Sequence, residues 1–280
     1  FNCGAKLVFA DIDPETGNID PQSIKAKITN RTKAIVVVHW AGQPCDMDEI
    51  LQVAEENNIK VVEDAAHALR SSYKGKLIGS HGDFVCYSFQ AVKHLSTADG
   101  GAIACKRQED AERIRKLRWF GLDRKYRGSS RWEQDIPESG FKFHMNNTNA
   151  VIGLLQLGYI DDIIDRHISN SSILSENINN KNVKSLIKKD DRVSSSWIHS
   201  VLVDDKERFK KHMLNAGVLV DTVHVSNLRY SVFEKFRDDN LTGLKYFDKR
   251  LMNIPCGWWL TMENLEAVLE GVNCYRGGHT

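Results

Sequence analysis

The sequence lacks a closely spaced cysteine pair: Cys3, Cys45, Cys86, Cys105, Cys256 and Cys274 are scattered, with no Cys-x-x-Cys among them. That excludes a dense disulfide framework and a cysteine-rich zinc site, and it reads as a set of reduced thiols. No run of about 18 apolar residues is present and no charged-then-apolar signal segment, so a soluble, cytoplasmic protein without membrane contact is expected. An excess of charge of either sign is missing too. With 38 Lys and Arg against 37 Asp and Glu the net charge is +1, and no overall field recruits nucleic acid or an anionic membrane. Internal repeats and low-complexity tracts are absent. So is an initiator methionine: the chain opens on FNCGAKLVFADID, and a further segment is expected upstream.

What is present is ample apolar material. A chain of 280 residues, 41% of them hydrophobic, buries a sizeable core and is expected to divide into a large domain over residues 1–150 and a smaller one over 151–280. In the first hundred residues, β-branched runs (KLVFADI, KAIVVVH, IKVVED) alternate with helical patterns (DPQSIKAKI and the Asp-capped DMDEILQVAEENN). Runs buried on both faces and separated by helices predict parallel strands in a layered α/β domain. DFVCYSF and GGAIACK read as two more strands, EDAERIRKLRWFG as a helix stopped by Gly121, and LDRKYRGSSRWEQDIPESG as a basic loop. Apolar positions at helical spacing from Asn147 to Leu174 predict one long helix bridging the two domains. Beyond it, SSWIHSVLV, DKERFKKHMLNAG, VLVDTVHV and TMENLEAVLEGV suggest the shorter strands and helices of an α+β unit.

In open α/β sheets ligands sit at the carboxyl ends of the strands. His39, Glu63, Asp64 and Ser88 fall at such ends, and Lys93 follows in SFQAVKHLSTADGG. Each alone has an ordinary reading: Asp64 as a helix N-cap, Ser88 as a satisfied hydroxyl, Lys93 as a solvated lysine. Together they match the needs of pyridoxal 5'-phosphate. That cofactor takes a lysine to form an imine with its aldehyde, a carboxylate to keep its ring nitrogen protonated, and hydroxyls and backbone amides for its phosphate. Apolar surroundings at a strand end lower an amine's pKa and leave it nucleophilic.

These residues lie in VVEDAAHALRSSYKGKLIGSHGDFVCYSFQAVKHLSTADGGAI, which with VFADIDPETGNID, VVHWAGQPCDMDEI, GFKFHMNNTNAVIGLLQL and NIPCGWWLTMENLEAVLEGV resembles the DegT/DnrJ/EryC1/StrS family of sugar aminotransferases. The resemblance implies fold type I of the pyridoxal-phosphate-dependent transferases, with a large mixed-sheet α/β/α domain and a smaller α+β domain. It implies that Lys93 bonds the cofactor, Asp64 pairs with the pyridine nitrogen, Ala66 packs on the ring, His67 lies near the phenolic oxygen and Ser88 binds the phosphate. GFKFHMNN matches a motif that reaches into the neighbouring subunit's site in a homodimer. Lys142 and His144 there stand where many members have Asn and Arg, and Ala98 stands where glycine is frequent. The family's N-terminal segment, with its phosphate-binding Gly-Thr or Gly-Ser pair and its stacking aromatic, is not in this sequence.

By the same resemblance the substrates are glutamate and a nucleotide-linked ketosugar, usually a 4-keto-6-deoxyhexose, in amino-sugar and surface-polysaccharide biosynthesis. The basic loop with Arg124, Lys125, Arg127 and Arg131 is the candidate for the diphosphate, its other reading being a solvated charge run. His39, His144, His224 and Asn227 are candidates for the sugar pocket. Relatives that dehydrate or deoxygenate sugars carry histidine in place of the lysine, so Lys93 favours transamination. A non-catalytic or regulatory relative that binds cofactor or sugar is a second reading, and a nucleic-acid-binding module, motivated only by the basic loop and disfavoured by the net charge, is a third.

Overall fold

Three parallel strands carry the candidate site at one end. The computed structural model describes residues 2–277. Helix α1 (Pro21–Lys27) starts on Asp20, whose side chain accepts from the Gln22 amide, with Pro21 at the first position where its missing N–H costs nothing. Strand β1 (Ala34–Val38), helix α2 (Met47–Glu56) and strand β2 (Lys60–Asp64) follow. A short hairpin, β3 (Ser72–Tyr73) and β4 (Lys76–Leu77), leads to β5 (Phe84–Ser88) and β6 (Gly101–Cys105). The sheet order is β1-β2-β5-β6. The first three strands are parallel, and β6 returns antiparallel with Ser88 opposite Gly101. Val38, Asp64 and Cys86 lie level across the sheet, so the chain leaves β1, β2 and β5 on the same side.

One face of this sheet is the core. Ile35, Val37, Val61 and Val85 pack with Ile24 of α1 and with Met47, Ile50 and Val53 of α2. The expectation of burial on both faces does not hold for β1, where Val36 and Val38 are 59% and 41% exposed. Asp46 precedes α2 but makes no side-chain cap bond; Lys189 at 2.8 Å and Arg192 at 2.8 Å take its carboxylate instead. Burial alone would raise that carboxyl's pKa, and the two cations overcome it and hold it below the ordinary value. The run KLVFADI forms no strand; its one pairing is the bridge between Ile12 and Ile19.

After α3 (Gln108–Leu117) the predicted long helix is two, α4 (Asn147–Gln156) and α5 (Ile160–Asn177). The Gly158 and Tyr159 amides turn back to Leu155 and Gln156, and a second helix starts at Ile160. On α4 Leu154 and Leu155 are 69% and 67% exposed, whereas α5 buries Ile164, His167 and Leu174. Strands β7 (Val183–Ser185), β8 (Arg192–Val193) and β9 (His199–Val203) come next, then α6 (Lys206–Asn215), α7 (Thr242–Arg250), β10 (Leu251–Ile254) and α8 (Met262–Cys274). A second sheet runs β10-β9-β7, and β4-β3-β8 ties the hairpin to the later half. Its core gathers Leu174, Phe209, Met213, Leu265, Val268 and Val272. The segment VLVDTVHV is no strand either, with only a bridge between Asp221 and Asn253.

Ala98 sits at φ +64, the left-handed region in which a Cβ meets the following carbonyl. Replacement Ala98→Gly is therefore expected to raise unfolding free energy by about 0.5–1 kcal/mol, the relief of that clash less the extra freedom of an unfolded glycine. Urea denaturation reads it; an unchanged midpoint would mean the loop carries no such strain.

Candidate active site

The ends of β1 and β2 are locked from beneath. Glu63 and His39 are wholly buried. The His39 Nε2 lies 2.9 Å from a Glu63 carboxylate oxygen, and the other oxygen accepts from the Gly82 amide. The Cys45 amide donates to His39 Nδ1 at 3.0 Å. With Nδ1 accepting, the proton is on Nε2, which donates to the carboxylate. His39 therefore has no free nitrogen and no exposed edge, and its expected place in the sugar pocket is corrected: the side chain is turned into the core because Glu63 needs a donor there. The His39 backbone amide meanwhile donates to the Asp64 carbonyl at 3.1 Å.

That lock leaves Asp64 at the carboxyl end of β2 with its side chain half-buried. Its carboxylate accepts from the Ala66 amide at 3.0 Å, the local turn that an Asp favours after a strand. His67 follows, buried, stacked on Trp197 with ring centroids 3.9 Å apart. Its Nδ1 is buried without a hydrogen-bond partner. Burial first, then the charge of Lys93 and the nearby His224 and His94, pushes its pKa down to about 2, so the ring is neutral.

Lys93 lies in the connection from β5 to β6, its ammonium 3.7 Å from the centre of the Trp197 ring. Desolvation lowers its pKa to about 8, against the opposing pull of Asp64. Ser88 closes β5, half-buried, and its Oγ accepts from the Gln90 amide at 3.3 Å. His224 completes the cluster, its ring 5.8 Å from His67 and tilted by only 15°; burial and Lys93 lower its pKa, opposed by Asp64.

Trp197 was not foreseen. It is fixed by its amide on the Ala41 carbonyl at 2.9 Å and by its Nε1 donating to the Val92 carbonyl at 2.8 Å. A seam of serines brings it in: Ser195 Oγ donates to the His67 carbonyl at 2.8 Å, and Ser71 Oγ donates to the Gly42 carbonyl at 2.6 Å. Gly42, at φ +102, lies under this seam where a Cβ would come within 2.7 Å of Ser195 Oγ, so only glycine lets the two halves approach this closely. The signal in sequence was SSSW, three small hydroxyl residues before a large ring.

The other predicted residues lie elsewhere. Lys142 is exposed and paired through its backbone with Trp119. His144 packs edge-on against the Trp119 ring at 4.0 Å, and the Arg124 guanidinium lies over that ring at 5.9 Å. Arg127 is exposed in the same loop, while the side chain of Arg131 lies outside the described residues. Asn227 starts an exposed single-turn helix three residues after His224. Among the described residues, Lys142, His144, Arg127 and Asn227 make no hydrogen bond or ring contact with Lys93, so the site divides into a lysine cluster and a cationic, aromatic patch.

A model of the DegT/DnrJ/EryC1/StrS aminotransferase family matches residues 1–273. The chain is 38% identical over 234 residues to an uncharacterized protein of Methanocaldococcus jannaschii, covering 81% of this chain and 59% of that one. It is 35% identical to the GDP-perosamine synthase of Escherichia coli O157:H7, over 96% of this chain and 73% of that protein. It therefore spans less than two thirds of the first of these relatives. Among solved structures, a sugar aminotransferase of Micromonospora echinospora superposes with a TM-score of 0.92 at 32% identity, over 96% of this chain and 74% of that one.

The depressed pKa of Lys93 has a cost with a defined sign. Below about pH 8 the amine is charged in both the folded and unfolded chain, and folding must desolvate it; above 10.5 it is neutral in both. Lys93→Met should therefore be more stable than the native chain at pH 7, by on the order of 1 kcal/mol after allowing for solvent screening of a half-buried group. The gap should close between pH 8 and 10.5, as followed by urea unfolding across that range. A Lys93→Met chain less stable at pH 7 would contradict this.

Proposed function

The chain belongs to the DegT/DnrJ/EryC1/StrS aminotransferase family, whose members share fold type I, and from that premise we propose that it is the catalytic part of a pyridoxal-phosphate-dependent sugar aminotransferase. The observation that carries this reading is the half-buried amine of Lys93, poised near neutral pH beside Asp64 and His67 at the carboxyl ends of the sheet. The residues present fit the cofactor. Lys93 offers the amine, Asp64 a carboxylate, Ser88 a hydroxyl at a strand end, and His67 an imidazole nitrogen with no partner of its own. When bound, pyridoxal phosphate supplies an electron sink for charge developing on the donor's α-carbon.

The chain's own residues do the rest. Lys93 Nζ, with a pKa of about 8, exchanges a proton readily near neutral pH, so it can accept one from the donor's α-carbon and return it. Asp64 supplies the negative charge that keeps a pyridinium nitrogen protonated. Neutral His67 can meet a phenolic oxygen without adding a second charge beside the lysine. The Trp197 ring closes the lysine's side against water.

The amino donor in this reading is glutamate and the acceptor a nucleotide-linked ketosugar, in keeping with the perosamine synthase among the relatives. The patch of Arg124, Lys125 and Arg127 with Trp119 and His144 suits an anionic nucleoside diphosphate, whose base can lie on a ring while the guanidiniums meet phosphate. In this reading the patch serves a neighbour's site in a homodimer, and the exposed apolar residues at the end of α4 favour self-association. Leu154, Leu155, Leu157 and Tyr159 are all more than half exposed, as are Phe141 and Phe143 upstream of α4, and large exposed apolar patches are uncommon on monomers.

The protein mixed with pyridoxal phosphate should turn yellow and bleach on adding glutamate as one equivalent of 2-oxoglutarate is released, with continued release once a nucleotide ketosugar is supplied. Lys93→Ala should lower turnover by at least about a hundredfold; a variant as fast as the native protein, or a preparation that stays colourless, would end this reading. For the assembly, Leu154→Glu with Leu155→Glu should convert dimers to monomers in sedimentation experiments, and a native protein that is monomeric at all concentrations would refute the dimer.

A further inference from the structure

Lys93 must have somewhere to go when its amine is bonded to nothing, and the Trp197 ring lies in direct contact with the charged form. We infer that Trp197 is a positioning residue, a cation–π rest that holds the free ammonium of Lys93 beside Asp64 and His67 and keeps it from swinging out to solvent. The inference deepens the reading of Lys93 as the reactive amine and rests on it.

Three contacts carry it. The ammonium lies 3.7 Å from the Trp197 ring centre, inside the range in which a cation is drawn to an indole face. The same indole donates to the carbonyl of Val92 at 2.8 Å, the residue before Lys93, so ring and lysine backbone move together. His67 stacks on it at 3.9 Å, which ties the rest to the wall that carries Asp64. No carboxylate lies within ion-pair distance of Lys93 among the described residues, although other lysines such as Lys60, Lys74 and Lys189 are paired with carboxylates. The groups that face the amine electrostatically are Asp64, His67, His94 and His224. The histidines are held neutral, so Trp197 is the group that favours the ammonium at closest range. A carboxylate in its place would hold the amine charged and idle, whereas a ring attracts it weakly enough to release it.

The test is made on the full chain without cofactor or substrate, by competitive acetylation of Lys93 followed by mass spectrometry across pH. Trp197→Leu keeps the bulk and removes the π face; Trp197→Phe keeps a face and removes the Nε1 bond. Loss of the face destabilises the ammonium, so the labelling midpoint in Trp197→Leu should fall by about half a pH unit, with Lys93 labelled about threefold faster at pH 7. Trp197→Phe should restore most of the native midpoint. An unchanged midpoint in Trp197→Leu, or an equal shift in both variants, overturns the inference. If Trp197→Leu does not fold, indole fluorescence decides: a transition near pH 8 in the native chain should vanish in both Lys93→Met and Trp197→Phe, and its persistence in Lys93→Met overturns the inference. Because no turnover is measured, a failure of the transaminase reading and a failure of the Trp197 rest are told apart.

Discussion

A buried carboxylate sets the position of everything at the site while touching none of the chemistry. Glu63 is removed from water and satisfied by His39 Nε2 and the Gly82 amide. A charge in such a place is tolerated only with its hydrogen bonds complete, so the end of β1, the end of β2 and the approach to β5 are bound to one geometry. The Cys45 amide fixes the imidazole from its other side. Asp64, the next residue, inherits a position set by that lock and by the level register of the three parallel strands.

The lysine is governed by opposing terms of different range. Removal from water disfavours its charge and Asp64 opposes that, leaving the amine with a pKa of about 8, while the Trp197 face lies against the charged form at 3.7 Å. The surrounding histidines do not compete. Burial drives His67 to about 2 and His94 to about 3, which leaves them as polar, uncharged walls. A cluster of charged imidazoles would have pushed the amine further down and repelled a cationic donor group.

The two halves of the chain meet through groups that are individually modest. Serines 71 and 195 span the seam beside Gly42, the short strand β8 adds to the hairpin, and Asp46 holds Lys189 and Arg192 across it. The pairing of Asp46 with cations from the later half explains why it does not cap α2: the carboxylate gains two charge-assisted bonds in place of one to an amide. On the outside, α4 carries exposed leucines at 154 and 155 rather than turning them into a core.

The sequence determined the strands β1, β2, β5 and β6 with the helices α1 and α2, the lysine, and the strand ends that carry Asp64 and Ser88, because these follow from local pattern: β-branched runs, apolar residues at helical spacing, a lysine among apolar neighbours. It also showed the motif string on which family membership rests. It did not determine which face of β1 is covered, the break at Gly158 within one continuous apolar period, or the fate of KLVFADI and VLVDTVHV, since β propensity cannot say whether a partner strand is available. His39 and Trp197 show the same limit at the site. A histidine at a strand end looks like a ligand group until a buried glutamate claims it, and a tryptophan about a hundred residues from Lys93 becomes its nearest ring only through contacts between distant segments. Those contacts have no local signature, because their energy comes from burial and hydrogen bonds that exist only once the chain has folded.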